Sequence, residues 1–301
     1  MKPETQHRYV QHIDRVVGFL NEQVDAVPSL QNLADVAGIS PYHFNRVYRA
    51  VTGETPFGTL RRLRLVRAAV MLKDSQKPIT EIAFDVGYES SQAFSKAFRE
   101  TTGFNASNLR RDPENLATVI SALSKPPAQA SIASLEVKVV SVAPFKVLAH
   151  RHTGPHKDLF ETYGSFYQWI EQSGITDKMR GIYGIPIDDV QGVPQCDCRF
   201  DCCFDLGPDT TPASEYRDVS LGGGTYAVAH HVGPYEGLED KYDFLYGTWL
   251  KSSNRKLREG PTYNHYLADP GTLPPEQWET DIYMPIEEIL ANDADPHRAS
   301  Q

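Results

Sequence analysis

Hydrophobic positions in the first 112 residues recur at the spacing of amphipathic α-helices. The stretch 10–24 carries valine, isoleucine and leucine three or four residues apart. The stretch 55–72 predicts a longer helix that starts near Pro56, with leucine and valine on its inner face. Ser29 and Gly38 stand where a helix cap and a helix terminator are expected, so residues 29–38 predict a short helix. The pattern therefore predicts an all-helical domain over residues 1–112.

Part of this domain occurs twice. Residues 33–53 align with residues 82–103, with matched apolar positions, a matched glycine in the turn and a matched Thr-Gly at the end. Each copy indicates a short helix, a turn and a second helix, which is the helix-turn-helix unit. A tandem of helical hairpins also suits a protein-binding repeat. The polar outer faces of the second helices favour DNA, as does a joining helix that can set a spacing near the roughly 34 Å of one DNA turn.

The stretches "LADVAGISPYHFNRVYRAVTGETPFGTLRRLRLVRAAVML" and "ITEIAFDVGYESSQAFSKAFRETTG" resemble the DNA-binding domain of the AraC/XylS transcription regulators. The resemblance spans residues 13–111 and implies helix-turn-helix motifs at about 29–51 and 78–101, which bind two adjacent major-groove segments of double-stranded DNA. The chain departs from the family pattern at Ala106 and Leu109, where proline and tyrosine are usual. Those positions concern helix capping and packing rather than base reading.

The expected DNA contacts follow from this resemblance, residue by residue. Arginine pairs well with guanine, and asparagine or glutamine with adenine, so Arg46, Asn45 and Gln92 are expected to contact bases. Serines at the helix starts and arginines further along suit phosphates. The full set is Ser40, Tyr42, His43, Asn45, Arg46, Arg49, Ser90, Ser91, Gln92, Ser95, Lys96 and Arg99.

Charge is divided unevenly along the chain, whose net charge is −9. Residues 1–112 hold 15 Lys and Arg against 12 Asp and Glu, which is a net +3. Residues 113–301 hold 15 against 27, which is a net −12. The mildly basic part is the one expected to meet DNA, so the acidic total does not exclude a DNA-binding protein.

Residues 113–133 indicate a linker. Its middle could form a short helix, but "SKPPAQAS" is typical of an extended connection. Beyond it the chain alternates strands and helices and again repeats: residues 147–170 parallel residues 226–250, each with a strand, a Gly-Pro turn and an amphipathic helix, followed by two strands. Residues 134–290 resemble the GyrI-like effector-binding domains of multidrug-responsive regulators. The predicted fold class is therefore an all-α domain with two helix-turn-helix units, followed by an α+β domain of two βαββ repeats, with a disordered tail over 291–301.

The resemblance implies a small-molecule effector bound between the two repeats. In sensors of cationic drugs, a glutamate lies in a pattern like Pro-x-aromatic-Glu-x-Tyr-Leu, but the chain reads "PTYNHYL", with Asn264 at that position. An amide supplies no charge, so a neutral or aromatic, hydrogen-bonding ligand is expected, with Glu279 and Asp281 as the nearest substitute carboxylates. The predicted lining is Trp169, Tyr242, Trp249, Asn264, Tyr266, Glu279, Asp281 and Tyr283.

Catalysis, metal binding and membrane insertion find little support in the sequence. Four cysteines lie within 196–203, and a single strand cannot wrap them around one metal, so neither a metal nor another cofactor is expected. The N-terminus is polar and no apolar run approaches the roughly 20 residues of a membrane span, which indicates a cytoplasmic protein.

The favoured interpretation is a ligand-sensing transcription regulator and not an enzyme, without catalytic residues. The alternatives are a GyrI-like hydrolase of small electrophiles that uses a pocket glutamate, and a module that binds a protein such as RNA polymerase.

Overall fold

The computed structural model describes residues 4–127, 134–208, 210, 215–268 and 270–288. These residues fold into two compact units. The helical unit comprises residues 9–41 and 48–127, and the sheet unit comprises residues 4–8, 42–47 and the described residues from 134 onwards. The predicted disordered tail over 291–301 and the end of the predicted linker, 128–133, lie outside the described residues.

The first 127 residues are helical, as the apolar spacing predicts. The helices are α1 (Glu4–Glu22), α2 (Leu30–Ala37), α3 (Pro41–Thr52), α4 (Pro56–Asp74), α5 (Ile79–Asp85), α6 (Ser91–Thr102), α7 (Ala106–Leu109) and α8 (Pro113–Leu123). The predicted helix-turn-helix pairs correspond to α2 with α3 and to α5 with α6.

Local capping chemistry sets the helix ends. The Asn32 backbone N–H donates to Ser29 Oγ (3.1 Å) at the start of α2. Gly53 and Gly103 end α3 and α6 in the left-handed conformation, with φ of 79° and 78°, which costs glycine nothing because it has no Cβ. The two copies of the repeat therefore end in the same way.

The predicted linker begins with a structured segment. Residues 113–123 form α8, which starts at Pro113 behind the capping carboxylate of Asp112. Its Leu116, Val119 and Leu123 are buried in the core of the helical unit together with residues of α4 and α6. The short helix that the sequence allows within the linker is present as α8, and its apolar side chains pack into the core together with α4 and α6.

Eight strands among the described residues form one antiparallel sheet in the order β1-β6-β8-β7-β3-β4-β2-β5. The strands are β1 (Val137–Val142), β2 (Phe145–Thr153), β3 (Gly181–Pro186), β4 (Arg199–Asp205), β5 (Arg217–Leu221), β6 (Gly224–Val232), β7 (Tyr263–Tyr266) and β8 (Glu279–Ile286). The helices are α9 (Leu159–Gln172), α10 (Leu238–Phe244) and α11 (Leu250–Ser252), the last two joined by a π-helical turn at Leu245–Trp249.

The predicted βαββ repeat is confirmed by β2-α9-β3-β4 and by β6-α10-β7-β8. The two halves meet where β3 pairs with β7, and Gly184 lies directly opposite Asn264. Side chains alternate between faces along each strand, so this register fixes which residues share a face with Asn264. We call that face the helix-side face, because Phe166 and Ile170 of α9 pack on its Leu148 and Phe204.

Candidate functional site

Helix α6 presents its predicted DNA-reading side chains to solvent. Exposed positions on its outer face are Gln92, Ser95, Lys96 and Arg99. The phenylalanines of its opposite face are fully buried in the helical core. An amphipathic helix that keeps amide, hydroxyl and cationic groups in solvent is available for the edges of bases and for phosphates.

The serines at the two helix starts differ in their roles. Ser90 Oγ accepts the Ala93 backbone N–H (3.1 Å), so this hydroxyl already caps α6. Ser91 follows it as the first residue of α6 and is half-buried. Ser40 precedes α3 in the corresponding position, but its side chain makes no capping hydrogen bond. The N-cap that the sequence indicates at Ser40 is therefore present in position but not in bonding.

Helix α3 differs sharply from α6. Tyr42 is exposed, but His43, Asn45, Arg46 and Arg49 are buried, with Arg46 only 6% exposed. Residues 42–47 belong to the sheet unit. The sequence predicts that these side chains face DNA, and in this conformation His43, Asn45 and Arg46 face protein instead. The imidazole of His43 and the guanidinium of Arg46, which suit bases and phosphates, are hydrogen-bonded within the sheet unit.

Arg46 is held by an aromatic ring and a carboxylate. Its guanidinium carbon lies 3.7 Å from the centre of the Tyr242 ring. Its Nη1 and Nη2 donate to Glu239 Oε2 (3.2 Å) and Oε1 (3.3 Å), a two-pronged arrangement that suits guanidinium. Burial alone would lower the pKa of Arg46, but the charges of Glu239 and Asp189 raise it above its ordinary value. We call Glu239 and Tyr242 the cradle.

His43 is bonded at both ring nitrogens. Its Nε2 lies 3.1 Å from the Arg258 carbonyl oxygen, which can only accept, so Nε2 carries the proton. Nδ1 then accepts from the Tyr246 hydroxyl (2.8 Å), and that hydroxyl in turn lies 2.7 Å from Thr262 Oγ1. Burial lowers the pKa of His43 to about 4; the carbonyl bond opposes this, and the Arg258 and Arg46 charges add to it. His43 is therefore neutral in this conformation at ordinary pH.

Tyr242 links the cradle to the centre of the sheet. Its hydroxyl donates to Asn264 Oδ1 (2.6 Å), and Asn264 Nδ2 reaches the Tyr266 hydroxyl (3.5 Å). Tyr163 of α9 packs edge-on against Tyr266, and its hydroxyl donates to the Tyr183 carbonyl (2.6 Å). Burial raises the pKa of each of Tyr242, Tyr266 and Tyr163, so they act as neutral hydrogen-bonding groups. Asn264 thus connects Tyr242 to Tyr266 by hydrogen bonds, and we call these residues together with Tyr163 the tyrosine network.

Aromatic rings continue from Tyr266 towards solvent. Tyr235 packs 5.1 Å from Tyr266 and 4.6 Å from Trp278, between ring centres. Phe160 of the first repeat stacks 6.1 Å from Tyr235 of the second and is 52% exposed. The rings of the two repeats therefore meet in a partly exposed aromatic row, which is a surface on which a planar molecule can pack.

Three of the predicted ligand-lining residues come together, namely Tyr242, Asn264 and Tyr266. Tyr283, Asp281 and Glu279 lie on the opposite face, because Asn264 pairs with Ile282 and side chains alternate along the strand. Their placement in one pocket with Asn264 is therefore wrong. Asp281 binds His230 instead (2.7 Å), and Tyr283 stacks on Tyr263.

The two predicted tryptophans lie elsewhere in the sheet unit. Trp169 packs against Phe166 and Tyr216, in the core under α9. Trp249 is half-buried at the end of the π-helical turn. Neither ring contacts the tyrosine network in the described residues.

Glu239, Tyr163, Tyr235 and Phe160 were missed by sequence reasoning. The internal repeat carries the signal that could have found Tyr163, since it aligns with Tyr242 on the second helix. Glu239 lies one helical turn before Tyr242, so their side chains share a face of α10. The expectation of a neutral ligand stays a prediction. The structure adds one carboxylate to this region, Glu239, which is bound to the same Arg46 that stacks on Tyr242.

Three of the four cysteines, Cys198, Cys202 and Cys203, are buried, and Cys196 is exposed. Cys202 shares the helix-side face with Asn264 through Gly184, and Cys203 points to the other face, as strand alternation predicts. Burial raises the pKa of Cys202 to about 12 and that of Cys203 well above its ordinary value, so both thiols stay protonated. Among the described residues, no group of three metal-ligating side chains lies close enough to hold a metal.

Comparison with known proteins identifies both parts of the chain. Residues 33–112 match a family model described as a helix-turn-helix domain, and residues 135–287 match the GyrI-like small molecule binding domain. The regulatory protein SoxS of Escherichia coli (strain K12) is 34% identical over 98 residues, which cover 33% of this chain and 92% of SoxS. The probable transcriptional regulator YgiV of the same strain is 26% identical over 156 residues, which cover 51% of this chain and 97% of YgiV.

A solved structure resembles the N-terminal part. The DNA-binding domain of AdpA, a global transcriptional factor in complex with a target DNA, is 27% identical with a TM-score of 0.32, covering 34% of this chain and 96% of that one. In the part of this chain that the structure describes, no helix combines the length and apolar character that crossing a membrane requires. The two family models match a DNA-binding motif and a small-molecule-binding domain in one chain. The chain therefore belongs to the AraC-type transcription regulators and carries a GyrI-like small-molecule-binding domain.

Proposed function

We propose that the two recognition helices bind adjacent major-groove segments and that an effector on the sheet unit controls this binding. The observation that carries the proposal is the contrast between the helices. α6 exposes Gln92, Lys96 and Arg99, whereas α3 buries His43 and Arg46. A regulator needs a DNA-binding surface whose availability can change, and α3 supplies one.

The effector site that we propose is the helix-side face where the two repeats meet. Tyr242, Asn264 and Tyr266 provide buried hydrogen-bonding groups there, and Tyr235 and Phe160 provide partly exposed rings. Ligand pockets commonly combine apolar walls with a few fixed polar groups, which is this combination.

We also propose that the protein is not an enzyme. A hydrolase of this fold needs a carboxylate that can take a proton from water. The position expected for it holds the amide of Asn264, which is bonded to Tyr242, and Glu239 has both oxygens on Arg46. A regulator that binds DNA works where the chromosome lies, so the cytoplasm is its proposed location. Contact with RNA polymerase stays a prediction from the sequence.

Selection from a random-core duplex library with the full chain tests the DNA-binding proposal. Binding by one or both recognition helices should enrich a defined sequence motif. Gln92→Ala should lose preference at one position of that motif, because an amide pairs with adenine, whereas loss of a phosphate contact would weaken all sequences equally. Enrichment of no motif by the full chain and by the variants described below would contradict the proposal.

A further inference from the structure

The cradle binds a cation, and the cation it holds belongs to the chain itself. Tyr242 offers a ring face at 3.7 Å and Glu239 offers two carboxylate oxygens to Arg46. A ring and a carboxylate together are what a guanidinium or ammonium group requires once it leaves water. Arg46 therefore makes the contacts with Tyr242 and Glu239 that a cationic ligand would make.

Arg46 cannot serve the cradle and DNA at the same time. Both terminal nitrogens of its guanidinium are engaged by Glu239. Reading a guanine uses the same pair of nitrogens against O6 and N7. Two neighbours on α3 are committed as well: both nitrogens of His43 are bonded, and Asn45 packs beside Gly192. The conformation described here withholds these three side chains from DNA.

We propose that the cradle is the binding site for a guanidinium, amidinium or alkylammonium group of the effector, and that this group displaces Arg46 and frees α3 for DNA. This inference rests on the proposed function and specifies its ligand class and its switch. It departs from the expectation of a neutral ligand, because Glu239 is a carboxylate beside Tyr242 that the sequence does not indicate.

Two features make displacement favourable once a competing cation is present. Asn45 Oδ1 is buried without a hydrogen-bond partner among the described residues, a cost that release of residues 42–47 would remove. The aromatic row next to Tyr266 lies open to solvent at Phe160, so the effector has rings to pack on that Arg46 does not use. An aromatic cation therefore gains contacts that the resident side chain lacks.

Direct binding tests the site. The probes are benzamidine, an aromatic amidinium, and benzamide, its neutral counterpart, measured by calorimetry on the full chain. Arg46→Ala leaves the cradle empty, so benzamidine no longer competes with the Arg46 side chain for it. Benzamidine should therefore bind this variant at least about tenfold more tightly than it binds wild type. Benzamide should show no such gain, and adding Glu239→Gln should abolish it. Equal binding of benzamidine to wild type and Arg46→Ala, or an equal gain for benzamide, would overturn the proposal.

DNA binding tests the switch. Glu239→Gln keeps the Arg46 side chain in the protein but removes the carboxylate that binds it, so Arg46 is available to DNA in more molecules. The variant should therefore bind the selected duplex at least about tenfold more tightly than wild type. Glu236→Gln is the matched control: it makes the same change of charge at an exposed residue in the turn preceding α10 and should leave affinity unchanged. Equal affinity of Glu239→Gln and wild type would refute the switch.

The two failures are separable. If no form of the chain selects a DNA motif, the proposed function fails, while the benzamidine comparison still decides whether the cradle takes cations. If a motif is selected and Arg46→Ala binds benzamidine no better than wild type, the regulator stands and the cradle proposal falls.

Discussion

Protonation of an exposed His43 between pH 7.5 and 5.5 should compete with the contacts that hold residues 42–47 in the sheet unit. His43 is neutral and buried, with a pKa lowered to about 4. The groups around it are the hydroxyl of Tyr246, the carbonyl and side chain of Arg258, and the Arg46 guanidinium. The two arginines oppose a positive charge on the imidazole, and the hydrogen bonds fit the neutral tautomer.

The size of the effect follows from the two pKa values. An exposed imidazole titrates near its ordinary value of 6.5, so protons bind preferentially to a released conformation in which His43 is exposed. The equilibrium constant that favours the conformation with His43 buried has its full value above about pH 6.5. Below that pH it falls about tenfold per pH unit, down to about pH 4. At pH 5.5 the hold should be weaker by about tenfold, which is ~1.4 kcal/mol.

Two measurements on the full chain test this. Histidine side-chain NMR should show that the His43 imidazole, assigned by comparison with His43→Gln, does not titrate between pH 7.5 and 5.5. In wild type, affinity for the selected duplex should rise by about tenfold between pH 7.5 and pH 5.5, because the weaker hold on residues 42–47 leaves more molecules able to bind through α3. His43→Gln, which cannot titrate, should show no such pH effect. A normal titration of His43 near pH 6.5, or a pH dependence of duplex affinity that is equal in wild type and His43→Gln, would refute the reasoning.

Three further outcomes are expected. Asn264→Ala leaves the buried Tyr242 hydroxyl without its acceptor and should lower the free energy of unfolding by about 1–3 kcal/mol in a denaturant titration, and a change near zero would show that the bond contributes nothing. A fragment ending at residue 127 should melt well above one ending at 112, because α8 buries three apolar side chains worth ~2 kcal/mol each, and equal melting would contradict the role given to α8. Lys96→Ala should leave the melting temperature unchanged and reduce the log–log salt slope of DNA binding by about 0.9, and an unchanged slope would remove Lys96 from the phosphate contacts.

Local signals account for most of what the sequence predicts correctly. Helix ends follow from Ser29, Gly53 and Gly103, each of which acts within a few residues of its own position. The same is true of the βαββ repeat, whose strands and Gly-Pro turns are visible in the alternation of the chain. α8 also carries a local signal, since Asp112 and Pro113 are a cap and a first helical residue, but the proline-rich stretch that follows it favoured a linker.

The state of α3 is not a local property. Arg46 meets Glu239, a residue 193 positions away, and side-chain chemistry alone does not separate a base-reading arginine from one in a protein cradle. The exposed α6 and the buried α3 have the same kind of polar outer face in sequence. Only the fold decides between them.

The ligand site depends on register as well as pattern. Alternation correctly groups Glu279, Asp281 and Tyr283 on one face of β8. Which face that is depends on the pairing of Asn264 with Ile282, which a single sequence does not specify. The sequence therefore points to carboxylates on the neighbouring strand, whereas the carboxylate that we propose for the ligand site, Glu239, lies on α10.

Footprinting on the selected duplex tests the central claim, that α3 is withheld while α6 is available, most directly. Wild type without a cation should protect one major-groove segment, bound by α6. Glu239→Gln should protect two segments about one DNA turn apart, bound by α6 and α3. Protection of both segments by wild type at the same protein concentration as Glu239→Gln would contradict the account.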